Sequence, residues 1–469
     1  MTSRNVVLII LDTVRKDYFD KYAHRIRDRA DVSIENGRAA SSWSVPSHAS
    51  ILTGELPHVH GIHTHDRYFD NLSREQTFLS SLPDHIALGA SANVFASATF
   101  GFDSVFDDYS DIAQHRRFPE GMDMERFIQT REREGLLRFW EFIDAARRTD
   151  HPLQSLANGI TFKLDDLMLK LPLPKLTDDG AKLVKREALR KVEEHSEPFF
   201  LFTNFMDAHA PLKHLLGFDK SMHSAPYGWS SRDFEQWRVI LDGIDEDNEA
   251  DVQNHRELYA CAIDYLDRQV SAFIDEVQQQ TERETTFVIT ADHGENLGFE
   301  GDNGLFGHTN SLTEALLHVP FDIVNPPGDE EREISEYVSH LDLGELIVEF
   351  AGGNLAVPTH DSIPAEVIGS GVGDPPNDDT EYWDRMIRCA YRGDTKIEWD
   401  SQGGSYRYSL DPDRPSWQEL DAEDVSVPSW ASEHFKGDVA ELKERAMAQE
   451  SSREVDATTE ERLKDLGYM

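Results

Sequence analysis

The sequence predicts an α/β fold: a large, mostly parallel central sheet sandwiched by helices, followed by a small C-terminal antiparallel sheet. Three observations carry this. The stretches 5–11 (N-V-V-L-I-I-L), 199–205 (F-F-L-F-T-N-F) and 286–291 (T-F-V-I-T-A) are continuous apolar runs, as in strands buried on both faces. Amphipathic helical patterns lie between them, the alternation of a doubly wound sheet. Each run also ends in ligand-type residues: Asp12, the Met206–His209 turn, and Asp292 with His293.

Taken in order, the first run delivers Asp12 to the carboxyl edge of the sheet, where ligands bind in open α/β folds. W-S-V-P-S-H-A-S-I-L-T-G over 43–54 reads as a short helix with Ser44 at its mouth, Pro46 in its first turn and Gly54 as terminator. Taken alone, Ser44 is an N-cap; beside an anionic ester it is a candidate nucleophile, because helix N-termini attract anions. The stretch 79–107 is strand-like, then turns at Gly101–Asp103. Residues 112–176 read as a helical insertion ended by L-P-L-P-K-L. Thr177 is expected to cap a helix to about Glu194, with Ala181, Val184, Ala188 and Val192 on its apolar face. A second helix is expected over Leu258–Val277, with Ala262, Leu266 and Val270 as core and Asp264 and Asp267 exposed or structural. E-G-D-N-G-L-F-G-H-T reads as a flexible loop carrying His308, and 319–324 as a strand. The Gly-, Pro- and Asp-rich stretch 352–379 reads as a boundary or surface crossing. Beyond it, I-R-C-A-Y-R-G-D-T-K-I-E-W and S-Y-R-Y-S-L alternate as antiparallel strands, and a charged helical tail begins near Glu433. The expected organisation is one large domain over 1–350, containing the 112–176 insertion, and a smaller unit over 380–469.

Lys and Arg total 46 against 88 Asp and Glu, a net charge of -42. Such a surface repels nucleic acid and anionic membranes, so an anionic substrate needs local cations or a metal. The acids are spread along the chain, which suits a salt-adapted surface better than disorder. Cys261 and Cys389 lack metal-ligand spacing and are expected to be free thiols. No run approaches the ~18 apolar residues of a membrane span, and no leader is evident, so a cytoplasmic location is expected. Oligomeric state has no sequence signature here.

Asp12, Ser44, Asp292 and His293 offer three oxygen ligands and one nitrogen, a set suited to a hard or borderline divalent cation. Such a cation would acidify the Ser44 hydroxyl and neutralise the ester. His209 and His308 are candidates to protonate the leaving oxygen and to bind the non-bridging oxygens.

The ordered motifs L-I-I-L-D-T-V-R-K-D, W-S-V-P-S-H-A-S-I-L-T-G, F-M-D-A-H-A-P-L, Y-A-C-A-I-D-Y-L-D-R and T-A-D-H-G-E-N-L-G resemble those of the sulfatase family in the alkaline phosphatase superfamily. The resemblance runs from Asn5 to about Val324, and Y-R-G-D-T-K-I with Y-S-L-D-P resembles the family's small C-terminal sheet. It implies one bound divalent cation, Ca2+ with Mg2+ or Mn2+ as alternatives, and a metal-bound nucleophile attacking a sulfate or related ester. It assigns Asp12, Asp292 and His293 to the metal, Ser44 to the nucleophile, His209 to the leaving-group side and His308 to the substrate anion.

Two departures bear on mechanism. Thr13 stands where the family usually has a second acid. The nucleophile is Ser44, where the family usually has a Cys or sometimes a Ser converted to formylglycine, and His48 replaces the arginine that closes that motif. A formylglycine hydrate expels sulfate by collapsing to the aldehyde, whereas a serine sulfate has no such exit. An unmodified Ser44 suits a phosphoserine intermediate instead, as in the single-metal phosphoglycerol transferases that the Asp, Ser, Asp, His set also resembles. The expected function is metal-dependent hydrolysis of a sulfate ester on an anionic small molecule or glycan. Phosphomonoester or phosphodiester cleavage or transfer is the alternative, and a catalytically silent anion-binding protein is a third reading.

Overall fold

The computed structural model describes residues 3–112, 117–118, 120–122, 124–129, 135–169, 173–328, 332–371, 379–449, 457–466 and 468. Its main sheet has eight strands: β1 (Asn5–Leu11), β2 (Val32–Arg38), β3 (Ile86–Ser91), β4 (Asp108–Asp111), β5 (Phe199–Phe205), β6 (Thr285–Thr290), β7 (Phe321–Val324) and β8 (Arg332–Ser339). Their order is β8-β2-β7-β6-β1-β5-β3-β4. Only β7 runs against the rest. The three apolar runs are its adjacent central strands, and β1, β5 and β6 are buried at every residue.

The principal helices are α1 (Ser44–Thr53), α2 (Met124–Gln129), α3 (Gly135–Ala146), α4 (Pro152–Leu169), α5 (Ala181–Glu194), α6 (Glu249–Gln280), α7 (Leu343–Ala351), α8 (Val439–Ala448) and α9 (Ala457–Asp465). α5 packs on β3 and β5 and against α6, while α7 packs on β1 and against α1. Ala181, Val184, Ala188 and Val192 of α5 are buried as the periodicity predicts. The cap is not Thr177. α5 begins at Ala181, and the Asp207 carboxylate accepts the N–H groups of Asp179 and Ala181 at 3.0 Å each. A residue distant in sequence thus does the work of a local cap. α6 is longer than its apolar core suggests, because a charged first turn precedes it. Asp267 is structural: fully buried, it accepts the N–H groups of Arg25 and Ile26. Asp264 pairs with Arg268 on the same helix.

A second, five-stranded antiparallel sheet is built from β9 (Ser362–Ile368), β10 (Met386–Arg392), β11 (Thr395–Asp400), β12 (Ser405–Leu410) and β13 (Gln418–Glu423), in that order. β9 lies inside the stretch read from sequence as a crossing. Pro364 argues against a central strand, but β9 is an edge strand, where a missing N–H is tolerated. The insertion carries α2, α3 and α4, and Met124, Phe127, Phe142 and Ala146 form a small core separate from the main one. Cys261 and Cys389 are free and buried. Among the described residues no helix is long and apolar enough to cross a membrane.

α6 also buries a histidine without charge. His255 packs on Phe234 and Phe306, and burial pushes its pKa down to about 3. A folded-state pKa below the unfolded value near 6.5 means that protons bind the unfolded chain preferentially. This contribution is complete above pH ~6.5 and is lost on acidification towards pH 3, at up to about 1.4 kcal/mol per pH unit. His255→Leu is therefore expected to flatten the fall in melting temperature between pH 7 and pH 5. An unchanged slope would place the acid sensitivity elsewhere.

A candidate active site at the carboxyl edge of the sheet

Parallel register gathers the site. Leu11 pairs with Phe205, and Ile10 pairs with both Asn204 and Thr290. Asp12, the 206–209 turn and Asp292 therefore leave the sheet at one edge. Ser91 pairs with Asn204, which brings Asn93 to the same place.

Ser44 is the first residue of α1, after Trp43 in extended conformation, and Gly54 ends the helix with φ 70°. Ser44 has no exposed surface. Its Oγ accepts a hydrogen bond from Asn93 Nδ2 at 3.0 Å and lies 3.4 Å from His293 Nε2. The positive end of the helix dipole faces this position.

Asp12, Asp292 and His293 each present a donor atom within 4.8 Å of the others, and all three are fully buried. Asp12 Oδ2 accepts from Asn93 at 2.6 Å and from Asn204 at 3.1 Å. Asp292 Oδ1 accepts from the N–H groups of Thr13 and His293. The other oxygens, Asp12 Oδ1 and Asp292 Oδ2, have no hydrogen-bond partner among the described residues. His293 Nδ1 lies 2.8 Å from the Gly294 carbonyl, which can only accept, so Nδ1 carries the proton and Nε2 presents its lone pair. Two buried orphan carboxylate oxygens and one imidazole lone pair, converging, fit a divalent cation. Without a cation the two carboxylates are a buried like-charge pair that the neighbouring histidines offset.

The electrostatics follow from that geometry. Burial first, and then Asp292, push the Asp12 carboxyl up to about 6. Burial also opposes ionisation of Asp292, but His293, His48 and hydrogen bonds from Ser44 and Thr13 outweigh it and hold its pKa low. His293 is raised in spite of burial by Asp292 and Asp12.

His209 and His308 complete the cluster. Their rings lie 5.2 Å apart, and His308 is 5.2 Å from the His293 ring. His209 Nδ1 donates to the Ala210 carbonyl, which leaves Nε2 as the functional nitrogen. His308 Nδ1 lies 3.2 Å from Glu295 Oε2, and its buried Nε2 has no partner. Burial pushes His308 down to about 3 and Glu295 up to about 7. All six residues singled out from the sequence are thus brought into one contiguous buried cluster.

The structure adds residues that sequence reading passed over. Asn93 bridges Asp12 and Ser44; the strand-end rule applied to β3 would have found it. Asn204 lies within β5, and its Nδ2 reaches both Asp12 Oδ2 and His48 Nε2. Thr13, standing where a second acid was expected, holds a left-handed φ of 61°. Its N–H binds Asp292, and its carbonyl accepts from Tyr259 at 2.6 Å. Gly294 is required by close approach: a Cβ there would lie 2.0 Å from the Ala315 carbonyl. The 300–309 loop, read from the sequence as flexible, is anchored through Asp302. Arg15, fully buried, binds Asp302 at 2.9 Å and the Glu295 carbonyl at 3.1 Å. Breaking such a buried pair costs about 3–5 kcal/mol.

The sheet, the helix-mouth serine and the acid–imidazole cluster define an α/β fold that carries a buried serine beside a fitting divalent-cation site. The chain belongs to the sulfatase family, whose pattern it matches over residues 4–353. A shorter stretch of 89 residues, 19% of this chain, is 29% identical to an uncharacterized sulfatase, YidJ, of Escherichia coli (strain K12), and spans only 17% of that protein. Among solved structures, the phosphonate monoester hydrolase SpPMH from Silicibacter pomeroyi superposes with a TM-score of 0.57 at 15% identity, over 87% of this chain and 89% of the other. BT4656, solved with its substrate D-glucosamine-2-N,6-O-disulfate, superposes with a TM-score of 0.57 at 12% identity, over 87% and 91%. At such identities these structures establish a shared fold.

Proposed function

We propose that this enzyme cleaves a sulfate ester of an anionic small molecule or glycan with Ser44, or the residue derived from it, as nucleophile. The observation that carries this reading is the contact of Ser44 Oγ with Asn93 and His293 at the edge of a cradle with two orphan carboxylate oxygens. Asp12, Asp292 and His293 would hold the cation, with Ser44 beside them; when bound, it supplies Lewis acidity and charge neutralisation. The mouth of α1 favours the anion. His308 Nε2, buried and without a partner among the described residues, is available to an ester oxygen, and the incoming negative charge would favour its protonated form. His209, fixed through Nδ1, offers Nε2 to the leaving oxygen. As the ester bond breaks the leaving alkoxide needs a proton, which Nε2 would give from the imidazolium form; burial disfavours that form and the Asp12 carboxylate favours it.

One observation favours phosphoryl transfer as a second reading. The residue four positions after Ser44 is His48, whose Nδ1 donates to the Ser44 carbonyl and whose Nε2 meets Asn204. It is a neutral imidazole, held down by burial, where the sulfatase motif has an arginine. The peptide carrying Ser44, from protein made in its native host, separates the readings by mass. A mass lower by about two hydrogens identifies formylglycine and sulfate ester cleavage through its hydrate. An unmodified serine supports a phosphoserine intermediate and rejects the sulfatase route.

A further inference from the structure

Tyr468 lies inside the site. It is 2% exposed, and its hydroxyl donates to His209 Nε2 at 2.8 Å. Its ring centroid is 4.7 Å from Phe95, 5.2 Å from His308 and 6.5 Å from Trp43. α9 brings it there: Leu463 is buried at 2% exposure, the Tyr468 N–H donates to the Leu463 carbonyl at 2.9 Å, and Arg462 Nη2 donates to the Ala92 carbonyl at 2.6 Å, next to Asn93. Burial first, then the carboxylates of Asp12, Asp292 and Glu295, keep the phenol protonated, and Ser44 is among its hydrogen-bonding partners.

This position conflicts with catalysis in place. His209 Nδ1 is committed to Ala210, so Nε2 is the one atom through which the ring can serve a leaving oxygen, and the phenol occupies it. An ester must also bring its central atom to Ser44 Oγ, and the Tyr468 phenol lies in the neighbourhood of that oxygen. Ser44, Asp12, Asp292 and His293 have no exposed surface, so the reacting atoms cannot be reached with α9 and Tyr468 docked.

We propose that α9 (Ala457–Asp465) and Tyr468 act as a strap that holds the enzyme closed, with the Tyr468 phenol standing in the place of the leaving oxygen, and that the tetrahedral anion of the ester displaces it. The proposal rests on the site reading above. The docked strap reduces apparent affinity by the fraction of molecules that are open. Releasing it therefore lowers KM without changing the chemical step.

Two measurements on the full chain with a divalent cation test this. The first is tryptic cleavage after Lys464, whose side chain is exposed, with and without inorganic phosphate as the displacing anion. The expected result is about tenfold faster cleavage with phosphate, matching a strap closed about ten to one; an unchanged rate overturns the proposal. The second is ester turnover by Tyr468→Ala and by Arg462→Ala, which weakens the anchor and leaves the ring. Both are expected to lower KM, by about tenfold for Tyr468→Ala, with kcat retained. A fall in kcat overturns the strap by making the phenol part of the chemistry. If no form turns over any ester, the site reading fails, and phosphate-dependent proteolysis still decides whether the strap is displaced.

Discussion

Ser44→Ala is expected to lower kcat/KM by on the order of 10^4-fold or more, as removal of a nucleophile does. The fold should be unaffected. Alanine is a strong helix former at the start of α1, and the lost hydroxyl accepts from Asn93 and interacts with Asp292 and Tyr468. The stability change should therefore stay within about 1–3 kcal/mol. Thermal melting and circular dichroism of the variant, alongside the assay, separate lost chemistry from lost structure. Appreciable residual turnover would remove Ser44 from the mechanism, and the silent anion-binding reading would return only if the wild type were also inactive on every ester tried. The prediction is indifferent to modification, because alanine can be neither phosphorylated nor oxidised to formylglycine.

Asp292→Asn should separate the cation from the fold. Without cation, Asp292 stays ionised in spite of its burial near Asp12, because His293, His48 and its hydrogen bonds favour the charge, so neutralising it removes a favourable interaction. The cation-free variant should melt somewhat below the cation-free wild type, and the response to cation is what separates the two roles. With cation at a hundred times its dissociation constant, the wild type gains about 2.7 kcal/mol, and the variant should gain almost nothing. Melts in chelator and in Ca2+, Mg2+ and Mn2+ measure both effects, and rank the three cations, which share a preference for oxygen ligands. A variant that responds to cation as the wild type does would show that the cradle is not the binding site.

How far the sequence led depended on whether a feature was local. Strands buried on both faces announce themselves as apolar runs, and in a parallel sheet each must end at the same edge; Asp12, His209, Asp292 and His293 were found that way. Ser44 was legible because a helix mouth has its own residue grammar. β9 was missed because Pro364 contradicts the usual strand pattern, and the edge position that permits it is a tertiary fact. The start of α5 was misplaced for the same kind of reason, since its cap comes from Asp207.

What the sequence determined by itself is the fold class, the family motifs and the residue types of the site, because periodicity and motif order are properties of the chain. Only the tertiary structure decided which partners those residues have. Asn93 reaches Asp12 across 81 residues, Arg15 reaches Asp302 across 287, and Tyr468 reaches His209 across 259. No spacing rule encodes such contacts. They arise when burial closes the sheet edge and every polar atom left there must find a partner or await a ligand.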